Sequence, residues 1–443
     1  MITMRKIKYF ASELSPKMDG MRVRVAGWAT RIRDLGNIVF IRVRDREGEF
    51  QIICKKGEVD DSLLKLAKKI TPASAIIAEG ILRIAKNKEG FEIVPEKLYG
   101  NIADSPLPID IFQETTELDK RIDYRTLDLR ILKHNAIFRI KSIIANAFRE
   151  YLLKNGFVEI HTPAIGLYVA EGGANVFEVK YFDKKAYLRQ SPQIYKQLMT
   201  GALEKVFEVG PAFRAEPSYT IRHLTEFISL DVEMAWIRDI EDLLDLLEDI
   251  LIYIFKRLDE SGRKFFNILG VEPPKIPKKP FPVMSYREAL MILNNAGVRL
   301  EGKDIPQTGE KVLWKFAKEN YNSDFLFITD YPWEIRPFYA MKYEKIDNRL
   351  EYTPTKSMDL LYRGMEIVTG GQREHRYDVL KRQIIEKGLR PEAFGYYLDM
   401  FRFGMPPHGG FAIGLDRLTM MILNLSNLRE AVLYPRDPNR LEP

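Results

Sequence analysis

The amino-acid sequence predicts an α+β protein in two parts: a small N-terminal β-barrel and a larger region that mixes strands with helices. Three observations support this prediction. The 443 residues exceed what one compact domain usually holds. Short alternating strands fill residues 22–99. Later strands do not alternate regularly with helices, which argues against a doubly wound sheet.

The first part reads as roughly five strands with a helix between the third and fourth. Val39, Ile41 and Val43 share one face of a predicted strand, and aromatic or charged residues lie between them. A helix is expected near 62–69. This order of elements is typical of an OB-type barrel, which we expect to cover residues 1–102.

Two prolines within 104–110 break regular structure, so we expect a linker over 103–134. A long amphipathic helix is predicted over 135–155, and it opens a second domain that covers 135–443. One continuous strand is expected over 360–369. The other strands are expected at 177–182, 206–214, 227–236 and 410–414, and the other helices near 192–200, 239–260, 309–320, 376–387 and 415–424.

The composition, 46% hydrophobic and 29% charged residues, fits a soluble globular protein. No stretch of about 20 apolar residues predicts a membrane span, and the charged first ten residues do not look like a signal peptide. The single cysteine, Cys54, cannot form an internal disulfide, so we expect a cytoplasmic protein. The net charge of +6 fits a polyanionic partner, although an ordinary basic enzyme shows the same balance.

The sequence contains neither of the common glycine-rich phosphate loops, so side-chain cations must hold the phosphates if ATP binds. Arg214 and Glu216 end a predicted strand on one face, and Arg222 and His223 follow after a short loop. An arginine at such a strand end can fork onto a phosphate, and Glu216 can accept from an amino group such as that of adenine. A structural ion pair is the alternative interpretation.

A glycine-rich strand over 409–414 leads directly into a helix that begins with Leu415, Asp416 and Arg417. Glycines on a strand permit the close approach of a flat ligand. A cation in the first turn of a helix is unfavourable unless an anion binds there too. This local conflict indicates a functional site, and a buried packing strand is the alternative.

These two segments resemble motifs 2 and 3 of the class II aminoacyl-tRNA synthetases, and 156–163 resembles motif 1. Three further segments, 170–173, 190–197 and 366–375, are similar to the archaeal and eukaryotic type of the aspartyl-tRNA synthetase family. The resemblance extends over nearly the whole chain. It implies an antiparallel sheet flanked by helices, and a homodimer formed through motif 1.

The resemblance implies that L-aspartate is activated with ATP and transferred to the 3′ end of tRNA-Asp, with Arg214 and Arg417 as catalytic residues. The implied ATP-binding residues are Arg214, Ala215, Glu216, Arg222, His223, Leu224, Glu366, Gly414, Leu415, Asp416 and Arg417. The implied amino-acid-binding residues are Glu171, Gln193, Ile194, Tyr195, Lys196, Arg214, Thr369 and Arg373. Mg²⁺ is implied at Glu366 and Thr369, and anticodon contacts are implied at Phe40, Gln51, Arg31 and Thr30.

Two of these implied residues favour aspartate over asparagine. Lys196 and Arg373 would flank the substrate side chain, and two cations in a closed pocket favour a carboxylate over a neutral amide. Asparagine-specific relatives typically lack lysine at the position of Lys196. The α-ammonium group would bind Glu171.

In the barrel, Phe40 would stack on an anticodon base and Gln51 would read one. Stacking beside a basic face is the general way in which single-stranded loops are bound. The expected phosphate contacts come from four arginines, Arg31, Arg33, Arg42 and Arg44.

Several departures from the family pattern leave the tRNA specificity open. Ala170 replaces a usual threonine, Thr369 a usual serine and Asp416 a common glutamate, and Thr30 occupies a position that helps to separate tRNA-Asp from tRNA-Asn. The alternatives are an enzyme that charges both tRNAs, an asparaginyl-tRNA synthetase, an amidating enzyme, and a nucleic-acid-binding protein with an inactive catalytic domain. Lys196 argues against the second, the barrel against the third, and the joint presence of the charged site residues against the fourth.

Overall fold

The computed structural model describes residues 7–112, 115–167, 176–217, 219–300, 302–344 and 350–443. The chain divides into two compact units, Met1–Ala136 and Ile137–Pro443. No helix in these described ranges is long and apolar enough to cross a bilayer.

The first unit contains a closed barrel whose strands pair in the order β1-β2-β3-β5-β4. The elements described in this unit are β1 (Arg22–Asp34), β2 (Ile38–Arg44), β3 (Glu49–Lys55), α1 (Asp61–Ala67), β4 (Ala75–Ile84), β5 (Phe91–Asn101), α2 (Leu118–Asp123) and α3 (Arg125–Asp128). The expected alternation on β2 is confirmed, because Val39, Ile41 and Val43 are fully buried inside the barrel. The Asp60 side chain caps α1 by accepting from the Ser62 amide. The predicted OB-type barrel is therefore confirmed.

A larger set of elements belongs to the second unit, with α4 starting just before it. They are α4 (Leu132–Lys154), β6 (Val158–Glu159), β7 (Ile165–Gly166), β8 (Glu178–Tyr181), β9 (Lys184–Leu188), α5 (Gln193–Leu203), β10 (Lys205–Phe213), β11 (Glu226–Ala235), α6 (Glu241–Leu269), β12 (Val283–Ser285), α7 (Tyr286–Asn295), α8 (Gln307–Tyr321), β13 (Phe325–Thr329), β14 (Ser357–Tyr362), β15 (Met365–Arg373), α9 (Tyr377–Glu386), α10 (Gly395–Arg402), β16 (His408–Gly414) and α11 (Leu415–Leu423).

In the described part of this unit, eight strands form one sheet in the order β12-β13-β14-β15-β16-β11-β10-β6. The edge pairs β12–β13 and β10–β6 are parallel, and the pairs between them are antiparallel. The predicted α+β fold with a largely antiparallel sheet and flanking helices is confirmed. The sheet matters for function because β10, β11, β15 and β16 lie side by side at its centre.

The single strand predicted over 360–369 is wrong. These residues belong to β14 and β15, which pair as a hairpin. Arg363 and Gly364 form its turn with φ of 50° and 78°, the positive values that a type I′ turn requires. The sequence pattern missed this turn because apolar residues stand on both sides of it and arginine is not a typical turn residue.

Candidate active site

A cavity of about 640 Å³ lies against the central strands of the second unit. Its wall includes most of the predicted site residues: Gln193, Lys196, Arg214, Glu216, Arg222, His223, Leu224, Glu366, Thr369, Arg373, Gly414, Asp416 and Arg417. The long-range pairing of β10, β11, β15 and β16 thus brings together residues from distant parts of the chain.

The other predicted residues lie elsewhere. Ala215 and Leu415 do not line this cavity, and Leu415 is buried in the core. Ile194 and Tyr195 line a neighbouring cavity of about 260 Å³. Glu171 lies outside the described residues.

A buried network of charges forms one part of the cavity wall. Lys196 Nζ donates to Asp231 Oδ1 at 3.0 Å and lies 3.4 Å from Glu233 Oε2. Arg373 Nε donates to Glu233 Oε1 at 3.0 Å, and its Nη2 donates to Gln193 Oε1 at 3.2 Å. Lys196 is 1% exposed and Arg373 is 6% exposed, so bulk water screens neither charge.

Neither carboxylate of this network was predicted from the sequence. Burial alone would raise the pKa of Glu233, but Arg373 and Lys196 outweigh it and hold that pKa below its usual value. Asp231 pairs with Lys196 and Glu233 pairs with Arg373, so each of the two basic side chains already has an acidic partner within the protein. A substrate carboxylate would therefore share Lys196 and Arg373 with Asp231 and Glu233. The alternation of residues 231 and 233 on β11 was the only available signal for the pair.

Asp231 offers an unused acceptor to a ligand. Its Oδ1 accepts from Lys196, whereas its buried Oδ2 has no hydrogen-bond partner in the described part of the chain. Asp231 also lines the cavity. A buried acceptor without a partner is costly, so a donor on a bound ligand would be favourable here.

Four basic side chains line the phosphate-binding region that the sequence predicts. The Arg214 guanidinium lies 5.4 Å above the centre of the Phe227 ring. Arg417 lies in the first turn of α11, where its Nη1 donates to the Glu366 carbonyl at 3.3 Å. Burial, and then the charge of Arg417, lower the pKa of His223, so its ring is neutral near pH 7 and can act as a hydrogen-bond partner.

Asp416, in contrast, is engaged within the protein. Its Oδ2 accepts from the Ile228 amide at 3.1 Å, and its other oxygen pairs with Lys141 of α4. The carboxylate therefore ties α11 to β11 and α4, and it supports the helix that carries Arg417.

A β-bulge aims Glu366 and Thr369 at the same cavity. Residues three apart on a regular strand face opposite sides of the sheet. Here Glu366 pairs with Leu361 and Val368 pairs with Leu360, which leaves Ile367 as an extra residue. Both Glu366 and Thr369 consequently line the cavity from within β15.

Arg336 is a site residue that the sequence analysis missed. Its Nη2 donates to Asp359 Oδ2 at 2.7 Å and its Nη1 to Thr369 Oγ1 at 3.3 Å. Burial, and then the charge of Asp359, raise the pKa of Glu366 to about 7. Arg417 and Arg336 act in the opposite direction and lower this pKa, but burial and the nearby carboxylates outweigh them.

The chemistry of these oxygens fits a magnesium ion that arrives with a nucleotide. Among the described residues, no group of three or more His, Cys, Asp or Glu side chains could hold a metal ion alone. Mg²⁺ usually takes one or two protein carboxylates together with substrate phosphates. Glu366, with Asp359 beside it and the Thr369 hydroxyl on the same face, suits that shared arrangement.

We predict that Glu366→Gln stabilises the metal-free protein at pH 8. A carboxyl whose pKa rises from 4.5 to about 7 on folding destabilises the fold progressively as the pH rises through that interval. Glutamine removes the charge. Because the Glu366 side chain is 37% exposed and solvent screens part of the effect, the melting temperature at pH 8 should rise by only about 1–2 °C. The difference should vanish below pH 4.5. Thermal denaturation across this pH range checks this prediction, with the exposed Glu272→Gln as control. A lower melting temperature of Glu366→Gln at pH 8 would contradict the raised pKa of Glu366.

Comparison with known proteins identifies the family. Residues 117–438 match the family model described as tRNA synthetases class II (D, K and N), and residues 23–99 match the OB-fold nucleic acid binding domain. This chain belongs to the class II tRNA synthetases. The synthetase is 47% identical to the aspartate–tRNA(Asp) ligase of Pyrococcus abyssi, over 98% of this chain and 99% of that protein.

Two further similarities bear on specificity. The aspartate–tRNA(Asp/Asn) ligase of Aeropyrum pernix is 45% identical over 99% of the synthetase and 100% of that protein. The crystal structure of Pyrococcus horikoshii asparaginyl-tRNA synthetase with asparaginyl-adenylate has a TM-score of 0.89 and 37% identity, and each chain is covered completely. The fold is therefore shared among relatives that differ in amino acid and in tRNA.

The predicted anticodon residues lie on or near one side of the barrel wall. Phe40 is half-buried between the inward-facing residues of β2, and Gln51 donates to Glu92 Oε2 at 3.1 Å. Thr30 is buried at an irregularity of β1, where its hydroxyl lies 3.4 Å from the Arg42 carbonyl, and Arg31 beside it is exposed.

Two of the four arginines expected to contact phosphates already have partners. Arg42 forms two hydrogen bonds to Glu89, at 2.6 and 2.7 Å, and Arg44 donates to Glu49 at 2.8 Å. Arg31 and Arg33 are exposed, so they are the better placed of the four to meet a phosphate.

We expect Phe40→Ala to weaken tRNA binding without changing amino-acid activation. A stacked base contributes about 1–3 kcal/mol, which corresponds to a rise of roughly 5- to 150-fold in the KM for tRNA. Aminoacylation kinetics measure the KM, and pyrophosphate exchange measures activation. The control is Tyr99→Ala on β5, since Tyr99 is an exposed aromatic residue of the same barrel. An unchanged KM for tRNA would exclude stacking by Phe40.

Proposed function

We propose that this synthetase is an aspartate–tRNA ligase, which activates L-aspartate with ATP and transfers it to the 3′ end of tRNA-Asp. The observation that carries this proposal is the buried network in which Lys196 and Arg373 meet Asp231 and Glu233 at the cavity wall. Relatives named aspartate–tRNA ligases over their full length support it.

The network suits both charged groups of aspartate. The side-chain carboxylate of aspartate accepts hydrogen bonds from Lys196 and Arg373. These two side chains also donate to Asp231 and Glu233 of the protein. The α-ammonium group donates to Asp231 Oδ2, the acceptor that has no partner in the described residues, and Glu171 is the second proposed partner. Asparagine would present an amide donor to the same two cations, so a site of this kind rejects it by about 10⁴-fold.

The proposed reaction consists of two transfers and needs no covalent protein nucleophile. The α-carboxylate of aspartate attacks the α-phosphorus of ATP, and pyrophosphate leaves. Arg214 neutralises the charge that develops at the α-phosphate, while Arg222, His223 and Arg417 bind the outer phosphates. Glu366 and Thr369, with Asp359 nearby, would hold a Mg²⁺ ion that arrives with ATP, and this ion would neutralise part of the phosphate charge. The terminal ribose hydroxyl of tRNA then attacks the aspartyl carbonyl and releases AMP.

The proposed organisation is an anticodon-binding barrel over 1–102, a linker over 103–134 and a catalytic domain over 135–443. A cytoplasmic homodimer through motif 1 is part of the proposal. Leu153 at the end of α4 and Val158 of β6 support it, because these apolar side chains are 54% and 42% exposed and an interface would cover them.

Pyrophosphate exchange with aspartate, asparagine and lysine tests the amino acid. We expect exchange with aspartate, and exchange with asparagine alone would refute the proposal. Charging of transcripts with GUC and GUU anticodons then tests the tRNA. Charging of the GUC transcript alone indicates tRNA-Asp. Equal charging of both would establish the second candidate, a ligase for tRNA-Asp and tRNA-Asn, which the similarity to the Aeropyrum pernix ligase favours.

A further inference from the structure

The C-terminal segment, defined as residues 428–437, lies against residues 219–225 of the loop that joins β10 to β11. The Leu428 amide donates to the Ile221 carbonyl at 2.8 Å, and the Thr225 amide donates to the Arg436 carbonyl at 2.9 Å. The loop is thus bonded to the C-terminal segment at its centre and at its end. It also carries Arg222 and His223, which line the cavity.

Arg429 makes the most specific of these contacts. It is 2% exposed, and its Nε donates to Asp437 Oδ2 at 2.8 Å. Its Nη1 donates to the Thr220 carbonyl at 2.9 Å, and its guanidinium carbon lies 4.2 Å from the centre of the Tyr219 ring. One buried guanidinium therefore anchors two consecutive residues of a loop that is itself exposed at 219–221.

Thr220 connects this anchor to the cavity. Its hydroxyl lies 2.7 Å from His223 Nδ1 and accepts from the Arg222 amide at 3.3 Å. The carbonyl of Thr220 is thus bonded to Arg429, while its hydroxyl is bonded to the two residues that face the cavity. A shift of Thr220 would move the His223 ring and the backbone that carries Arg222, whose guanidinium donates to Glu310 Oε2 at 3.3 Å. Small displacements of positioning groups are costly in catalysis.

We propose that Arg429 is a positioning residue for ATP: it holds residues 219–223 so that Arg222 and His223 meet the outer phosphates. The inference rests on the proposed function. Arg429 does not line the cavity, and it acts through Thr220. A purely stabilising role for the buried Arg429–Asp437 pair predicts a different result, because loss of stability alone does not raise the KM for one substrate and spare the other.

The test compares Arg429→Lys and Tyr219→Ala with the wild-type protein in aspartate-dependent pyrophosphate exchange. Lysine keeps a charge opposite Asp437 but cannot also donate to Thr220 and stack on Tyr219. We expect the KM for ATP to rise about tenfold in Arg429→Lys and about threefold in Tyr219→Ala, while the KM for aspartate stays unchanged. Tyr434→Ala, an exposed aromatic residue of the same C-terminal segment, is the control and should leave both constants unchanged.

Each outcome has one meaning. If the wild-type protein shows exchange but a folded Arg429→Lys variant raises both KM values alike, or neither, the positioning role is wrong. If Arg429→Lys fails to fold, Tyr219→Ala decides, because it alters the contact from the exposed side and leaves the buried ion pair intact. An unchanged KM for ATP in that variant also overturns the inference. Absence of exchange in the wild-type protein with every amino acid would instead contradict the proposed function.

Discussion

Lys196→Leu should lose aspartate-dependent pyrophosphate exchange by at least ~10³-fold while ATP binding persists. Lys196 is 1% exposed, and its Nζ contacts Asp231, Glu233 and the carbonyls of Val232 and Phe411. Leucine removes the cation that the substrate carboxylate needs. It also leaves two buried carboxylates with one cation fewer, so the free energy of unfolding should fall by about 3–5 kcal/mol.

Calorimetry of ATP binding distinguishes the loss of the substrate-binding cation from the loss of stability. The arginines proposed to bind phosphate do not lie on α5 with Lys196, so ATP binding should persist when only aspartate binding is lost. The matched control is Lys184→Leu, since Lys184 is an exposed lysine of β9, and it should leave exchange and stability unchanged. Wild-type aspartate kinetics in Lys196→Leu would refute the role of Lys196. Loss of both aspartate and ATP binding would indicate a general collapse of the site.

Arg214→Lys should slow aspartyl-adenylate formation by about 10²- to 10³-fold, with little change in the KM for aspartate. The planar guanidinium offers two parallel donors to a phosphate and lies over the Phe227 ring at 5.4 Å. Lysine keeps the charge but loses both properties. Because this contribution grows as charge develops on the α-phosphate, the loss should appear in the rate of the chemical step.

Rapid-quench measurement of adenylate formation checks this prediction. Arg257→Lys on α6 is the control, since Arg257 is 37% exposed and pairs with Glu150 and Glu260 on the surface. A variant with a normal single-turnover rate and a raised KM for ATP would assign Arg214 to ground-state binding instead.

Local sequence features determined the two-part α+β architecture and the family. Alternation predicted that Val39, Ile41 and Val43 face the inside of the barrel, and three short motifs predicted that Arg214 and Arg417 share one site. The burial of the first three residues and the lining of the cavity agree with this. These predictions succeeded because strand periodicity and helix starts depend on neighbouring residues, which a single sequence displays directly.

Only the tertiary structure decided the charge balance of the amino-acid pocket and the geometry of the metal-binding face. Glu233 meets Arg373 from 140 positions away in the chain, and the bulge at Ile367 turns Glu366 toward Thr369. The roles of Arg336 and Arg429 were likewise inferred from hydrogen bonds to residues far from them in the sequence. Such contacts depend on strand pairing and burial, and no local pattern of residue types encodes which distant charge will lie opposite.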